Sequence, residues 1–242
     1  MQMMTFARRN AQELLRDPLT LFFGAAFPLI LLFLLSAIQA NIPVSMFEIN
    51  SLAPGIAVFG QSFLTLFSAL LIARDRTTAL TQRLMASPMR GSDFILGYAL
   101  PVIPLAVVQA LVCLLVAGVM GFKLNHLPLT LAVLLVSAVF YIAMGLLFGS
   151  ILNDKQVGGI CGALLTNLSA WLSGIWFDVK LVGGAFYRIA NALPFLHAVE
   201  AARAAAAGRL APLHLAIVAA YAAALLLLAT VAFRRRMDGG RE

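Results

Sequence analysis

Hydrophobic residues occur in long runs along most of the chain, separated by short polar connections. A helix needs roughly 20 apolar residues to cross the hydrocarbon core of a bilayer. Six runs approach or exceed that length, and they cover residues 19–38, 53–73, 94–120, 129–152, 157–177 and 213–233. The strict alternation of apolar and polar positions that is typical of membrane strands is missing. The pattern therefore predicts six transmembrane helices.

Composition indicates the same class. Hydrophobic residues make up 62% of the 242 residues and charged residues only 11%, whereas a soluble domain carries about 25% charged residues. The two cysteines, Cys113 and Cys161, lie inside apolar runs and fit small buried side chains. We expect an all-α integral membrane protein with a single domain over residues 1–242, and neither a soluble enzyme nor a secreted disulfide scaffold.

The basic residues suggest how the chain is oriented. The net charge is +7, and lysines and arginines concentrate before residue 18, in residues 74–93 and after residue 233. Such clusters face the cytoplasm and contact anionic lipids, so both termini are predicted to be cytoplasmic. Nucleic-acid binding is disfavoured because the aromatic residues lie in the apolar runs. The first run is too long for a signal peptide and is expected to be retained.

The first 17 residues have a different pattern. Apolar residues recur every three or four positions from Met4 to Leu15, and basic residues such as Arg8 and Arg9 take the other face. Asp17-Pro18 ends this pattern, since a proline disfavours helix at the residue before it. The spacing predicts an amphipathic helix in the cytoplasmic interface, either as a functional element or as a simple anchor.

Residues 74–93 connect the second and third predicted spans on the cytoplasmic side. Thr77 or Thr78 would cap a short helix with Leu80 and Leu84 on one face, and Ser87-Pro88 would end it. An exposed helix with an apolar ridge is typical of a docking element for a cytosolic partner. The alternative is a solvated turn that carries positive-inside charges.

Residues 178–212 are too apolar for an aqueous loop, and Gly183-Gly184, Pro194 and Gly208 interrupt them. Irregular backbone at membrane depth requires burial in protein or contact with water. We therefore predict an external re-entrant helical hairpin before the last span. Three residues at a spacing of three share one face of it, as a surface ion pair or in a gating or substrate role: His197, Glu200 and Arg203.

The sequence contains no phosphate-binding loop and no spacing of cysteines and histidines that suits a metal. The interiors of the predicted spans lack Asp, Glu, Lys and Arg, which argues against a proton-coupled antiporter or a channel with charged rings. Uncharged polar residues remain on two stripes, which either hold helices together or line a substrate path. The stripes are Gln61, Thr65 and Ser68, and Thr166, Ser169 and Ser173.

Four short motifs follow one another along this frame. They are Arg16-Asp17-Pro18 with Pro28, the segment from Arg76 to Ser87-Pro88, Phe94-Ile95-Leu96-Gly97, and Leu193-Pro194-Phe195 with the three residues that follow at His197, Glu200 and Arg203. In this order they resemble the membrane permease subunit of type-2 ABC exporters over essentially the whole chain. One departure is Arg76-Thr77-Thr78-Ala79-Leu80, where relatives often carry Glu and Gly before a Thr-Leu pair.

The resemblance implies a half-channel that pairs with a second permease copy, identical or not, and docks separate ABC ATPase subunits that bind ATP and Mg. Residues 74–93 would form the coupling helix. The residues implied to contact the ATPase are Arg76, Thr78, Leu80, Arg83, Leu84 and Pro88. The chain itself would hold no cofactor and catalyse no reaction.

The short external connections 39–52 and 121–128 resemble those of exporters for drugs, antibiotics or lipids in the bacterial cytoplasmic (inner) membrane. The expected function is the export of hydrophobic or amphipathic molecules. Three alternatives remain: a permease for polysaccharides or glycolipids, a facilitator or channel that needs no ATPase, and a membrane anchor without transport activity.

Overall fold

A computed structural model describes residues 2–42, 44–76 and 91–239, which are almost entirely helical. We number the helices in chain order, joining segments that follow without a connecting loop. They are α1 (Gln2–Arg16), α2 (Pro18–Asn41), α3 (Ile49–Asp75), α4 (Gly91–Val119), α5 (Leu127–Ile151), α6 (154–172), α7 (Val179–Val182), α8 (Gly184–Ala192), α9 (Pro194–Ala206) and α10 (Pro212–Gly239).

Five of these helices are long and apolar enough to cross a membrane, namely α2, α3, α4, α5 and the part of α10 over Pro212–Arg235. The fifth predicted span, 157–177, corresponds to α6, which begins at Asp154 and ends at Leu172. Because α6 begins with Asp154, Lys155 and Gln156, it is more polar than the other five. A sixth membrane crossing therefore stays a prediction.

Capping residues mark where several helices begin. The Asp17 carboxylate accepts a hydrogen bond from the Leu19 amide at 3.0 Å, and Pro18 occupies the first position of α2. Asn153 and Gln156 form a reciprocal capping box at the start of α6. Such caps satisfy amide groups that have no partner inside the helix, so α1, α2 and α6 have fixed starting or ending points.

Helix α5 lies at the centre of the bundle and packs against both α3 and α10. Its contact with α3 depends on two glycines. A Cβ atom at Gly145 would lie 2.3 Å from the Thr65 carbonyl oxygen, and one at Gly149 would lie 2.6 Å from that of Ala69. Small residues at such positions let two membrane helices approach closely. Helices α3 and α5 thus form a tightly packed pair.

The bundle has two ends with different contents. One end holds α1, the last turns of α3 and α5, and the first turns of α4 and α6. The last part of α10 lies there too, since a Cβ atom at Gly91 would lie 2.7 Å from Cγ of Arg234. At the other end, Arg203 donates hydrogen bonds to the carbonyls of Ser51 and Gly174. Helix α6 runs between the ends, from Asp154 to just before Gly174. Both described termini therefore lie at the same end, which we name the terminal end.

Residues 178–212 contain α7, α8 and α9. Gly183 lies between α7 and α8, Gly184 is the first residue of α8, and their φ angles are positive, at 63° and 56°. Glycine adopts this conformation without the steric cost that a side chain imposes. The chain therefore turns sharply at the place where the paired glycines occur. The external location of this segment stays a prediction.

Candidate functional site

The predicted contact with an ATPase centres on residues 76–88, of which the structure describes Arg76. Thr78, Leu80, Arg83, Leu84 and Pro88 lie outside the described residues. The two flanks of this segment are described: α3 ends at Asp75, and α4 begins at Gly91. The contacts of these flanks define the candidate site.

Arg76 joins the end of α3 to the end of α5. Its Nη1 atom donates to the carbonyl oxygens of Gly149 at 2.7 Å and Leu152 at 3.0 Å. The last carbonyls of a helix have no partner within the helix itself. Arg76 therefore stabilises the carboxyl end of α5 and fixes the point at which the chain enters segment 77–90. Its contact with an ATPase stays a prediction.

Directly before it, Asp75 is almost completely buried, with 1% of its surface exposed. Arg9 of α1 donates two hydrogen bonds to its carboxylate, at 2.6 and 2.7 Å, and the Tyr98 hydroxyl of α4 donates a third at 3.1 Å. Paired hydrogen bonds between a guanidinium and a carboxylate are among the stronger polar contacts in proteins. We name Arg9, Asp75 and Tyr98 the Asp75 cluster; it ties together α1, α3 and α4.

Helix α1 also packs directly on the first turns of α4. The Asn10 side chain donates to the Gly97 carbonyl at 3.1 Å. The Phe6 ring lies against Gly97, where a Cβ atom would be 2.5 Å from the ring, and meets Tyr98 edge-on at a centroid distance of 4.8 Å. Because the α4 backbone lacks a side chain at Gly97, α1 comes close enough for Arg9 to reach Asp75.

The predicted apolar face of α1 is therefore divided. Ala7 and Leu14 are buried against the protein, whereas Met4 and Leu15 are 63% and 65% exposed. An exposed apolar stripe beside basic residues fits the edge of a bilayer. The placement of α1 in the membrane interface remains a prediction.

Electrostatics favour the charged form of Arg9. The hydrogen bonds with Asp75 raise the pKa of Arg9 above its ordinary value, burial opposes them, and the charges of Asp75 and Glu13 add to the increase. Glu13 lies 3.0 Å from Arg9 on the next turn of α1. Arg9 therefore stays protonated at any physiological pH and keeps the buried carboxylate paired.

Arg74 extends the polar contacts to α6. It lies 3.6 Å from Asp17 and 3.9 Å from Asp154. Both contacts are long and partly exposed, and such ion pairs contribute little to stability. They nevertheless bring the start of α6 to the same end of the bundle as the Asp75 cluster.

The first predicted polar stripe lies at the contact between α3 and α5. All three residues are buried. Gln61 donates to the Leu134 carbonyl at 2.9 Å, Thr65 to the Tyr141 carbonyl at 3.0 Å, and Ser68 to the Leu64 carbonyl at 2.6 Å. Two of these bonds cross between the helices, so within one chain the stripe connects α3 to α5.

The second stripe lies on α6 and the residue that follows it, and it is also buried. The Ser169 hydroxyl is 2.6 Å from that of Tyr141, whereas Thr166 and Ser173 donate to the carbonyls of Cys161 and Ala170. Tyr141 thus contacts both stripes, through its carbonyl and through its hydroxyl. Whether either stripe lines a substrate path stays a prediction.

At the opposite end, Arg203 is bonded to three groups. It donates to Glu200 at 3.0 Å, to the Ser51 carbonyl at 3.1 Å and to the Gly174 carbonyl at 3.2 Å. It therefore joins α9 to α3 and to the residues after α6. Glu200 and Arg203 do form an ion pair, and Arg203 in addition connects three parts of the chain through its two carbonyl contacts.

His197 does not join this ion pair. Its Nδ1 atom is 2.7 Å from Nδ1 of His214 on α10, and its Nε2 atom is 2.8 Å from the Asn191 carbonyl. Because a carbonyl only accepts, Nε2 carries a proton, and a neutral His197 then accepts at Nδ1 from His214. Among the residues that the structure describes, no group of three or more His, Cys, Asp or Glu side chains could hold a metal ion.

Comparison with known proteins identifies the family of this chain. No curated protein matches the chain significantly. A family model described as an ABC-2 type transporter matches residues 1–206. That match includes α1 through α9 and all residues of the Asp75 cluster. The chain belongs to the ABC-2 type transporter family and is a membrane component of an ABC-type transporter.

Proposed function

We propose that this chain is the permease of an exporter that moves hydrophobic or amphipathic molecules across the bacterial cytoplasmic membrane. A separate ATPase subunit docks on residues 77–90, and a second permease copy completes the channel. Membrane domains of this family work with ABC ATPase partners. ATP and Mg bind to that partner, since the present sequence has no phosphate-binding loop.

The observation that supports the proposal best is the attachment of both flanks of segment 77–90. Before it, Asp75 is bonded to α1 and α4 and Arg76 to α5. After it, α4 begins at Gly91 and passes through Tyr98, which is itself bonded to Asp75. A force applied to this segment is therefore transmitted to four helices rather than absorbed at a loose loop.

The packing of α3 against α5 provides the next step. Because Gly145 and Gly149 leave no gap between these helices, movement of the end of α3 displaces α5 as well. Helix α5 contacts α10 and α4. A small displacement at segment 77–90 would thus shift the packed helices together, as tightly packed interiors transmit strain.

The interior supports an apolar or amphipathic substrate. The buried polar groups of the two stripes are uncharged amides and hydroxyls, and each donates or shares a hydrogen bond. A pathway for a multiply charged substrate would require compensating charges at membrane depth. The connections 39–52 and 121–128, which are predicted to be external, are too short to form a large external domain.

The proposal is tested with the complex in proteoliposomes. Leu84→Asp places a charge on the segment that is expected to dock, and Leu210→Asp places the same charge on an exposed residue at the other end of the bundle. We expect Leu84→Asp to reduce ATP-driven transport at least tenfold while the chain still inserts and folds, and Leu210→Asp to transport normally. Normal transport by Leu84→Asp would contradict the docking assignment.

A further inference from the structure

A cavity of about 160 Å³ lies between α4 and α5, beside the middle of α3. Alanines on both helices provide the space, and leucines surround it. The residues that matter here are Gln61, Ala106, Ala110, Leu131, Leu135 and Ala138. Leu135 is 39% exposed, so the cavity borders the outer face of the bundle.

Gln61 is the polar side chain in this lining, and it is completely buried. Its amide nitrogen donates to the Leu134 carbonyl at 2.9 Å. Its Oε1 atom accepts no hydrogen bond from any residue that the structure describes. A buried acceptor without a partner is unfavourable, and at the centre of a membrane helix no bulk water satisfies it.

Water is a poor occupant of this cavity. A buried water is held by two to four polar partners, and apart from Gln61 the lining side chains are Ala, Val and Leu. The volume suits a different ligand, because apolar cavities of about 150 Å³ accommodate a molecule of the size of benzene.

We propose that this cavity is a binding site for a ring-sized apolar group that carries one hydroxyl or amine, entering from the membrane and donating a hydrogen bond to Oε1 of Gln61. The apolar walls bind the ring, and the unsatisfied amide oxygen selects the donor. The site needs only residues of this chain, so it does not depend on the proposed coupling to an ATPase.

Photolabelling of the purified full chain in lipid nanodiscs tests the site. The probe is a phenol that carries a photoactivatable diazirine, and the reference probe is the same compound without the hydroxyl. Labelled peptides from α4 and α5 are quantified by mass spectrometry. We expect the phenol to label residues 102–119 and 127–138 about fivefold more than the reference probe, the factor that one hydrogen bond provides, and unlabelled phenol to compete.

Two variants and a control make the result specific. Gln61→Leu should reduce labelling by the phenol to the level of the reference probe, and Ala110→Leu should abolish labelling by both because it fills the cavity. Ala224→Leu adds the same side chain at an exposed position of α10 and should leave labelling unchanged.

Equal labelling by the two probes on the unmodified chain would overturn the proposal, and so would equal labelling of Ala110→Leu and the unmodified chain. The comparison of the two probes decides even if Gln61→Leu fails to fold. If the labelling results are as expected but the complex shows no ATP-driven transport, the proposed function is contradicted and this binding site is not.

Discussion

At the scale of single residues, the most consequential feature is a buried carboxylate next to the segment that is proposed to dock an ATPase. Asp75 is satisfied by Arg9 from 66 positions earlier and by Tyr98 from 23 positions later. An ion pair with one buried partner is costly to break, because that partner then remains desolvated without its counter-charge. Because Asp75 is bonded to α1 and α4, it connects the end of α3 to both helices as well as contributing to stability.

Asp75→Asn tests this contact. The amide keeps its size and part of its hydrogen bonding but loses the charge that pairs with Arg9. We expect a loss of about 1–3 kcal/mol in the free energy of unfolding, measured by equilibrium unfolding in detergent micelles. The same substitution in an Arg9→Met background should cost clearly less, since the pair is already broken.

Glu13→Gln provides the matched control. Glu13 contacts the same arginine, but both side chains are more than a quarter exposed there, and exposed pairs contribute about 0–1 kcal/mol. If Glu13→Gln destabilised the protein as much as Asp75→Asn, this would contradict the claim that the buried carboxylate contributes more to stability than the exposed one.

At the scale of helices, glycines decide which elements approach closely. Gly97→Ala places a methyl group against the Phe6 ring, so we expect α1 to separate from α4. Amide hydrogens of residues 2–16 should then exchange at least tenfold faster, as segments that open locally do. Gly118→Ala, in the same helix but with open space around it, should leave that exchange unchanged; equal effects of the two variants would refute the packing argument.

The contact between α3 and α5 makes a second prediction. Gly145→Ala brings a methyl group against the backbone of Thr65, which has little freedom to move. We expect a loss of about 1–3 kcal/mol in the free energy of unfolding, measured by unfolding in detergent. Gly159→Ala meets no neighbour and should change stability by less than about 1 kcal/mol. A tolerated Gly145→Ala would show that the two helices are not held in this close contact.

The helices themselves were largely predictable, because long apolar runs, Asp17-Pro18 and Gly183-Gly184 mark where elements begin and end. Helix α6 was less so, since it starts at polar residues 154–156 and ends at Leu172 rather than at 177. The Asp75 cluster was missed. No local spacing relates Arg9 to Asp75. The available signal was an acid two residues after an apolar run, on the side of the membrane that was also predicted for a basic amphipathic helix.

At the scale of the whole molecule, the bundle has a terminal end rich in arginine and an opposite end that contains Arg203, His197 and His214. From this polarity we predict termini on one side of the membrane and α6 as a sixth crossing. The two described flanks of segment 77–90, Arg76 and Gly91, also lie at the same end as α1 and Arg234. Docking and gating elements would thus share one side.

The crossing by α6 is testable with single cysteines. Lys155 lies in the first turn of α6 and Lys180 lies after its end, and both positions are exposed. In a background with Cys113→Ala and Cys161→Ala, a membrane-impermeant maleimide should label Lys180→Cys in intact cells and label Lys155→Cys only after permeabilisation. Labelling of both positions from the same side would mean that α6 does not cross.

The central claim is that segment 77–90 receives the ATPase of an exporter. The most direct measurement is photocrosslinking in native membranes from a photoreactive amino acid at position 84, with the same residue at position 210 as the reference. We predict a covalent product between position 84 and a soluble subunit that contains a phosphate-binding loop, and no such product from position 210. Crosslinks from position 84 that reach only lipid or other membrane chains, or the same product from both positions, would contradict the account.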